Sequence, residues 1–237
     1  MKYLNQFFSL KCCGDVLSAV APITNGAKEI TEAMSMRAKL KHIVLADNQD
    51  YALIDLCSGN CLVPVLSAFT FPRVFNIAVD LRPRPRQVAG VHRLLYRQQD
   101  INLLEIYRKD ALIRQPSLDT DPSRLIEVDT HDVVILTAMH ACGNLSKHII
   151  DLFLKSCAKH LILCPCCIGK GEGWFYNIAV NCLPMGKHEA WCLYLAGMLH
   201  EGGVDDTCII KDTNVLSARN LFIVAHKSSI TASPGNL

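Results

Sequence analysis

Short apolar runs alternate with helix-length amphipathic stretches along most of this chain, and that alternation admits few folds. Tyr51-Ala-Leu-Ile-Asp-Leu56, Val74-Phe-Asn-Ile-Ala-Val79, Asp132-Val-Val-Ile-Leu136 and His160-Leu-Ile-Leu163 read as buried strands. Helical periodicity runs from Asn25 to about Ala46, where Ile30, Ala33, Met34, Met36, Leu40 and Ile43 recur with basic residues between them. Further helices are expected from about Leu62 to Ala68, from Arg86 through Leu95, from about Leu145 to Cys157, and from His188 to Leu199 before Gly202-Gly203. A short polar strand is expected to end near Asp100. The stretch 102–113 reads as helix, and Asp119-Thr-Asp-Pro-Ser123 as a turn. Right-handed crossovers return each strand beside its predecessor, so the pattern predicts a mostly parallel, doubly wound α/β sheet of seven strands with helices on both faces. The ending differs. Only residues 212–218 separate the strands Thr207–Lys211 and Asn220–His226, too few for a parallel crossover, so the last strand is expected to be antiparallel.

Half of the residues are hydrophobic and 19% are charged, which excludes general disorder and suits a sheet covered on both faces. A formal charge of +2 neither demands nor forbids a nucleic-acid partner. The 12 cysteines lie in apolar runs and in the cluster Cys164-Pro-Cys166-Cys167, which fits a reducing, cytoplasmic compartment better than a disulfide framework. The first 23 residues superficially resemble a signal peptide, yet Lys11 and Asp15 interrupt any apolar core, and no run elsewhere is long enough to span a bilayer. The expected organisation is a helical extension over residues 1–48, one α/β domain over 49–230 and a flexible tail over 231–237.

In an open α/β sheet the ligand sits beyond the carboxyl ends of the strands, where the strand order reverses. The first two strand ends carry Asp55-Leu-Cys57-Ser58-Gly59-Asn60 and Asp80-Leu81. A glycine there lets the backbone approach a bound molecule, and a carboxylate about 20 residues further on is placed to chelate a ribose diol. A dinucleotide needs several backbone amides around its pyrophosphate, whereas this turn offers a single glycine. S-adenosylmethionine has no phosphate, and its cationic groups suit Asp55 and nearby carbonyls. The turn therefore favours that methyl donor. Asp100 and Ile101, at the third strand end, would meet the adenine or else form a helix cap.

The fourth and fifth strand ends carry Thr137-Ala-Met-His140-Ala-Cys142-Gly143 and Cys164-Pro165-Cys166-Cys167-Ile-Gly169. Together with Ser217-Ala-Arg-Asn220, these segments resemble a subfamily of class I methyltransferases whose signature is a His-x-Cys-Gly turn followed by a Cys-Pro-Cys-Cys strand end. The subfamily includes the methyltransferase domain of the glutathione S-transferase C-terminal-domain-containing protein, a group of methyltransferase-like proteins and, more distantly, a tRNA 2′-O-methyltransferase. The resemblance covers roughly residues 50–227 and implies a Rossmann-like class I fold with S-adenosylmethionine as donor. Cys57 and Cys61 depart from the small residues usual at the first turn, and no accessory substrate domain is evident.

The residues expected to hold the donor are Asp55, Cys57, Ser58, Gly59, Asn60, Asp80, Leu81, Asp100, Ile101 and Thr137. His140 is the candidate general base. Cys142, Pro165, Cys166, Cys167, Arg82 and Arg84 are candidates for the substrate rim. Side-by-side strands would set His140 and Cys142 against Cys164, Cys166 and Cys167, and such a group supports three chemistries: a rim, a zinc site, or a covalent thiolate. Thiols packed at strand ends are a fourth possibility. No metal is expected, because adjacent Cys166 and Cys167 chelate one ion poorly. The run Arg82-Pro-Arg84-Pro-Arg86 is either a solvated face or a contact for an RNA backbone. The acceptor expected on this reading is RNA. A small molecule or a protein is the alternative acceptor, and a non-enzymatic donor-binding module is the alternative class.

Overall fold

Three helices open the chain: α1 (Lys2–Phe8), α2 (Cys13–Val20) and α3 (Gly26–Val44). They lead into β1 (Tyr51–Leu56), α4 (Leu62–Thr70) and β2 (Val74–Asp80). The computed structural model describes residues 2–20, 22–108, 124–129, 132–171, 176–178, 181 and 184–228, with the side chain of Arg86 excepted. The expected turn at 119–123 and tail at 231–237 lie outside these residues, as does the 109–113 part of the helix expected over 102–113.

The third strand, β3 (Leu94–Gln98), is followed by β4 (Glu105–Arg108) and, further on, β5 (Leu125–Val128). Then come β6 (Val133–Ala141), α5 (Leu145–Lys155), β7 (His160–Pro165), α6 (Lys187–Glu201), β8 (Asp206–Lys211) and β9 (Leu221–His226). Seven of these strands form one sheet in the order β3-β2-β1-β6-β7-β9-β8. β9 runs antiparallel to both of its neighbours, while the pairs from β3 to β7 are parallel. The last strand in sequence therefore lies inside the sheet, because a short return lets it insert between β7 and β8. Strand order reverses where β1 lies between β2 and β6, which opens a crevice at their carboxyl ends.

Two expectations need correction. Residues 86–95 do not form a helix: a 3₁₀ turn, Arg86–Gly90, leads into β3. Pro83 and Pro85 hold the approach extended, and pairing with the open edge of β2 overrides the local helical period. Residues 105–108 are likewise strand rather than helix, pairing in parallel with β5 in a separate two-stranded sheet. No sequence period announced that pair, because each strand is only four residues long.

Alternation within β1 divides the core. Ala52, Ile54 and Leu56 face α5 and α6, whereas Tyr51 and Leu53 face the N-terminal helices and α4. The N-terminal helices are tied to the far end of the chain by Asp212. Its Oδ2 accepts from Tyr3 Oη at 2.7 Å and Ser35 Oγ at 2.5 Å, and pairs with Lys39 Nζ at 3.2 Å. This network holds α3 against the sheet, with one flank beside the crevice. Among the described residues no helix is long and apolar enough to cross a membrane.

Candidate active site

Beyond β1 the chain turns through left-handed backbone at Cys57, Gly59 and Cys61, with φ of 59°, 59° and 65°. A side chain at Gly59 would be strained by that φ and would meet Arg82 Nη2 at 3.1 Å. The turn is fastened to the second strand, since Ser58 N donates to Val79 O at 3.0 Å and Gly59 N to Asp80 Oδ2 at 2.7 Å. Asp55, at the end of β1, accepts from Ser58 Oγ at 2.6 Å and Thr137 Oγ1 at 2.7 Å. Its burial pushes the carboxyl up to about 6, against the lowering effect of those two hydroxyls. Asp55 thus braces the turn, and Thr137 acts through it.

A cavity of about 630 Å³ opens over this turn. It is lined by Asp55, Cys57, Ser58, Gly59 and Asn60, then by Asp80, Arg82 and His140. Such a volume lies within the range of small-molecule sites. The opposite wall is α3, through Lys28, Glu29 and Glu32. Sequence reading missed these three residues. The signal was the acidic pair Glu29 and Glu32 on an otherwise basic helix, but only packing shows that this flank faces the crevice. Asn60 Nδ2 donates to Glu29 Oε2 at 2.6 Å, so the turn and α3 are locked together.

Asp80 is 7% exposed and engages Arg82, whose Nε lies 3.0 Å from Oδ1 and Nη2 3.2 Å from Oδ2. Burial by itself raises this carboxyl, but the Arg82 guanidinium and the backbone N–H groups of Arg82 and Gly59 outweigh it and hold the group below its ordinary value. Leu81 is exposed and is not part of the cavity lining. At the third strand end Asp100 accepts from Asn102 N at 3.0 Å and so caps a short 3₁₀ turn, while Ile101 enters the core. Beside them, both polar atoms of the Gln99 carboxamide are buried without a hydrogen-bond partner among the described residues. Gln99, Asp100 and Ile101 all lie outside the cavity lining.

His140 stands in a break of the β6–β7 register between Met139 and Ala141, with φ of +63°. The bulge turns its ring away from the cysteines and toward α3, where Nε2 lies 2.8 Å from Glu32 Oε2. Lys28 Nζ stands 3.3 Å from the other Glu32 oxygen. The expected gathering of His140 with all the cysteines is therefore corrected. Cys164 lies within β7 on the face toward α3, where it is buried and donates to Arg219 O at 3.6 Å, whereas Cys166 and Cys167 lie past the strand end at Pro165.

Cys142, Cys166 and Cys167 do converge, within 4.8 Å of one another. They lie outside the cavity lining, as do Arg84 and Pro165. Adjacent Cys166 and Cys167 turn their sulfurs to one side, 3.5 Å apart. Burial, then acidic neighbours, pushes Cys57 up to about 12, and burial also raises Cys142 and Cys166. None of these thiols is poised to act as a free nucleophile.

A single glycine turn and a buried carboxylate on the next strand end, both lining one cavity, fit an adenosine-bearing donor without phosphate. Among solved structures, magnesium protoporphyrin IX methyltransferase from Synechocystis PCC 6803 with bound S-adenosylhomocysteine is similar in fold. It is 12% identical, with a TM-score of 0.50 over 96% of this chain and 100% of that one. The antibiotic-resistance methyltransferase Kmr is 14% identical, with a TM-score of 0.41 over 80% of this chain and 91% of that one. No curated protein matches the chain. A family model described as a methyltransferase domain matches residues 26–170, a span that includes α3. The chain therefore belongs to this family of methyltransferase domains and is an enzyme that uses S-adenosylmethionine as its methyl donor.

Proposed function

We propose that the acceptor is RNA and that His140 receives the acceptor's proton at the crevice edge. The observation that carries this reading is that His140, paired with Glu32, and Arg82 line one cavity, with exposed Arg84 two residues further along the chain. Pro83 and Pro85 line the cavity and keep the segment extended, and Arg82 and Arg84 are exposed on it. Guanidinium groups at the mouth of an adenosine pocket suit a phosphate backbone entering beside the donor.

In this reading Asp80 takes the ribose hydroxyls, Gly59 allows close approach, and Gln99 with Asp100 and Ile101 receives the adenine. Glu29 and Glu32 face the cationic end of the donor. When bound, the donor supplies an electrophilic methyl group on its sulfonium. The chain's own residues then position the acceptor in line and remove its proton, which matters most for a hydroxyl acceptor. A reducing, cytoplasmic setting belongs to the same proposal, since Cys142 and Cys166, 2.9 Å apart as free thiols, would oxidise readily elsewhere.

Incubation with isotopically labelled donor and separated cellular RNA, protein and metabolite fractions tests the reading. Label should enter RNA. Label confined to protein or to metabolites would replace RNA as acceptor.

A further inference from the structure

The loops that follow β6 and β7 bring three sulfurs together outside the donor cavity. Cys142 Sγ lies 2.9 Å from Cys166 Sγ and 3.6 Å from Cys167 Sγ, and Cys166 and Cys167 are 3.5 Å apart. We propose that Cys142, Cys166 and Cys167 form a zinc site in which three thiolates hold one ion.

The two loops are built to stay together. A Cβ on Gly169 would stand 2.8 Å from Gly143 C and 2.7 Å from Asn144 Oδ1, so glycine is required where the loops touch. Gly143 itself has φ of +57°, which turns the chain directly after Cys142. Asn144 Oδ1 accepts from Lys170 N at 2.9 Å, joining the loops again. Behind them, His188 Nε2 donates to Pro165 O at 2.7 Å and fixes the backbone immediately before Cys166. The backbones that carry the three cysteines are therefore held side by side.

The shape of the triangle selects the geometry. An ion in the plane of the three sulfurs would sit only about 1.9 Å from each, shorter than a zinc–thiolate bond of about 2.3 Å. At that bond length the ion would lie out of the plane, and the 2.9 Å Cys142–Cys166 separation would open toward the roughly 3.8 Å sulfur–sulfur edge of a zinc tetrahedron. No fourth His, Cys, Asp or Glu joins the group among the described residues, so the apical position is left to a donor from outside that set, such as water. Soft sulfur donors select zinc over magnesium or calcium.

Charge supports the same site. Three neighbouring thiols do not ionise together without a cation, because each thiolate opposes the next. One zinc dication replaces three thiol protons, which leave to solvent, and the resulting centre carries a single negative charge. Cys142 and Cys167 are exposed, which gives the ion a path from solvent. Bound there, it pins the end of β6 to the end of β7, two residues from His140.

Metal analysis of the full chain, purified under reductant and without chelator, tests the site. One equivalent of zinc per chain is expected. It should be lost in Cys142→Ser and in Cys166→Ser, and kept in Cys208→Ser, which removes an exposed thiol elsewhere. Because a serine variant can fail to fold, the wild type is also stripped with a strong chelator, checked by circular dichroism and titrated with zinc. Cobalt(II) should replace the zinc with a thiolate-to-metal charge-transfer band. A folded wild type that takes up neither ion stoichiometrically would overturn the proposal, as would zinc retained by folded Cys166→Ser.

Discussion

His140 Nε2 lies 2.8 Å from Glu32 Oε2, joining the bulged end of β6 to a carboxylate on the buried flank of α3. A carboxylate that accepts from Nε2 favours the tautomer whose Nδ1 carries no proton. If His140 is the base, His140→Ala should cut the single-turnover rate by roughly 100-fold or more, with donor affinity nearly intact. Glu32→Gln keeps the shape but removes the charge, and should cut the rate by about tenfold. A purely structural pair would instead lower the melting temperature and spare the rate per folded molecule. Melting curves and single-turnover rates on both variants decide between these outcomes.

Asp80 offers the carboxylate to which a ribose diol would bind, and Arg82 occupies both of its oxygens. Loss of charge-assisted bonds worth about 1.5 to 3 kcal/mol each means that Asp80→Ala should weaken donor binding at least tenfold. Arg82→Gln removes the competitor for those oxygens and should tighten it. Calorimetry with the donor measures both. Unchanged affinity in a folded Asp80→Ala would relocate the site.

Arg84 is exposed and is not part of the Asp80 pair, so it reports on RNA without disturbing the donor. Arg84→Gln should reduce the slope of log affinity for RNA against log salt by roughly 0.7 to 0.9, the loss of one phosphate contact. Donor affinity should stay constant. An unchanged slope would make this arginine part of a solvated face.

Asp55 introduces a pH dependence of stability. Its folded value of about 6 lies above the ordinary 3.8, so the native state keeps a proton that the unfolded chain releases. The stabilisation is fully present below the unfolded value and is lost as pH rises through about 6. Asp55→Asn carries no such proton. The stability of wild type relative to this variant should therefore fall between about pH 4 and pH 6, by on the order of 2 to 3 kcal/mol. Urea unfolding at several pH values tests it, and a flat difference would mean that Asp55 is not the buried carboxyl described.

The strands that build the crevice were legible because each is a short apolar run with a polar residue at its carboxyl end. β1 ends just past Asp55 and β2 at Asp80, as the pattern from Tyr51 and from Val74 implied. The short return between β8 and β9 likewise announced an antiparallel partner, since chain length alone forbids a parallel crossover there. β3 to β5 were less legible. Their pairing depends on edges supplied by distant strands, and short strands carry too little period to compete with helical patterns.

Within the site, the turn after β1 was legible in the chain itself, since Gly59 directly after the apolar run marks a left-handed turn. The facing wall was decided in three dimensions. Nothing in the sequence separates Glu29 and Glu32 from a solvated helix flank, and the Asp212 network sets α3 beside the crevice. The fate of His140 and the cysteines followed the same rule. Sequence order placed them at neighbouring strand ends, but a bulge at His140 turned it to Glu32, Cys164 packed into the core on the α3 face of β7, and the turns past the two strand ends gathered three sulfurs. Sequence spacing sets which strand end a residue occupies, whereas the direction of its side chain depends on register and packing against elements far away in the chain.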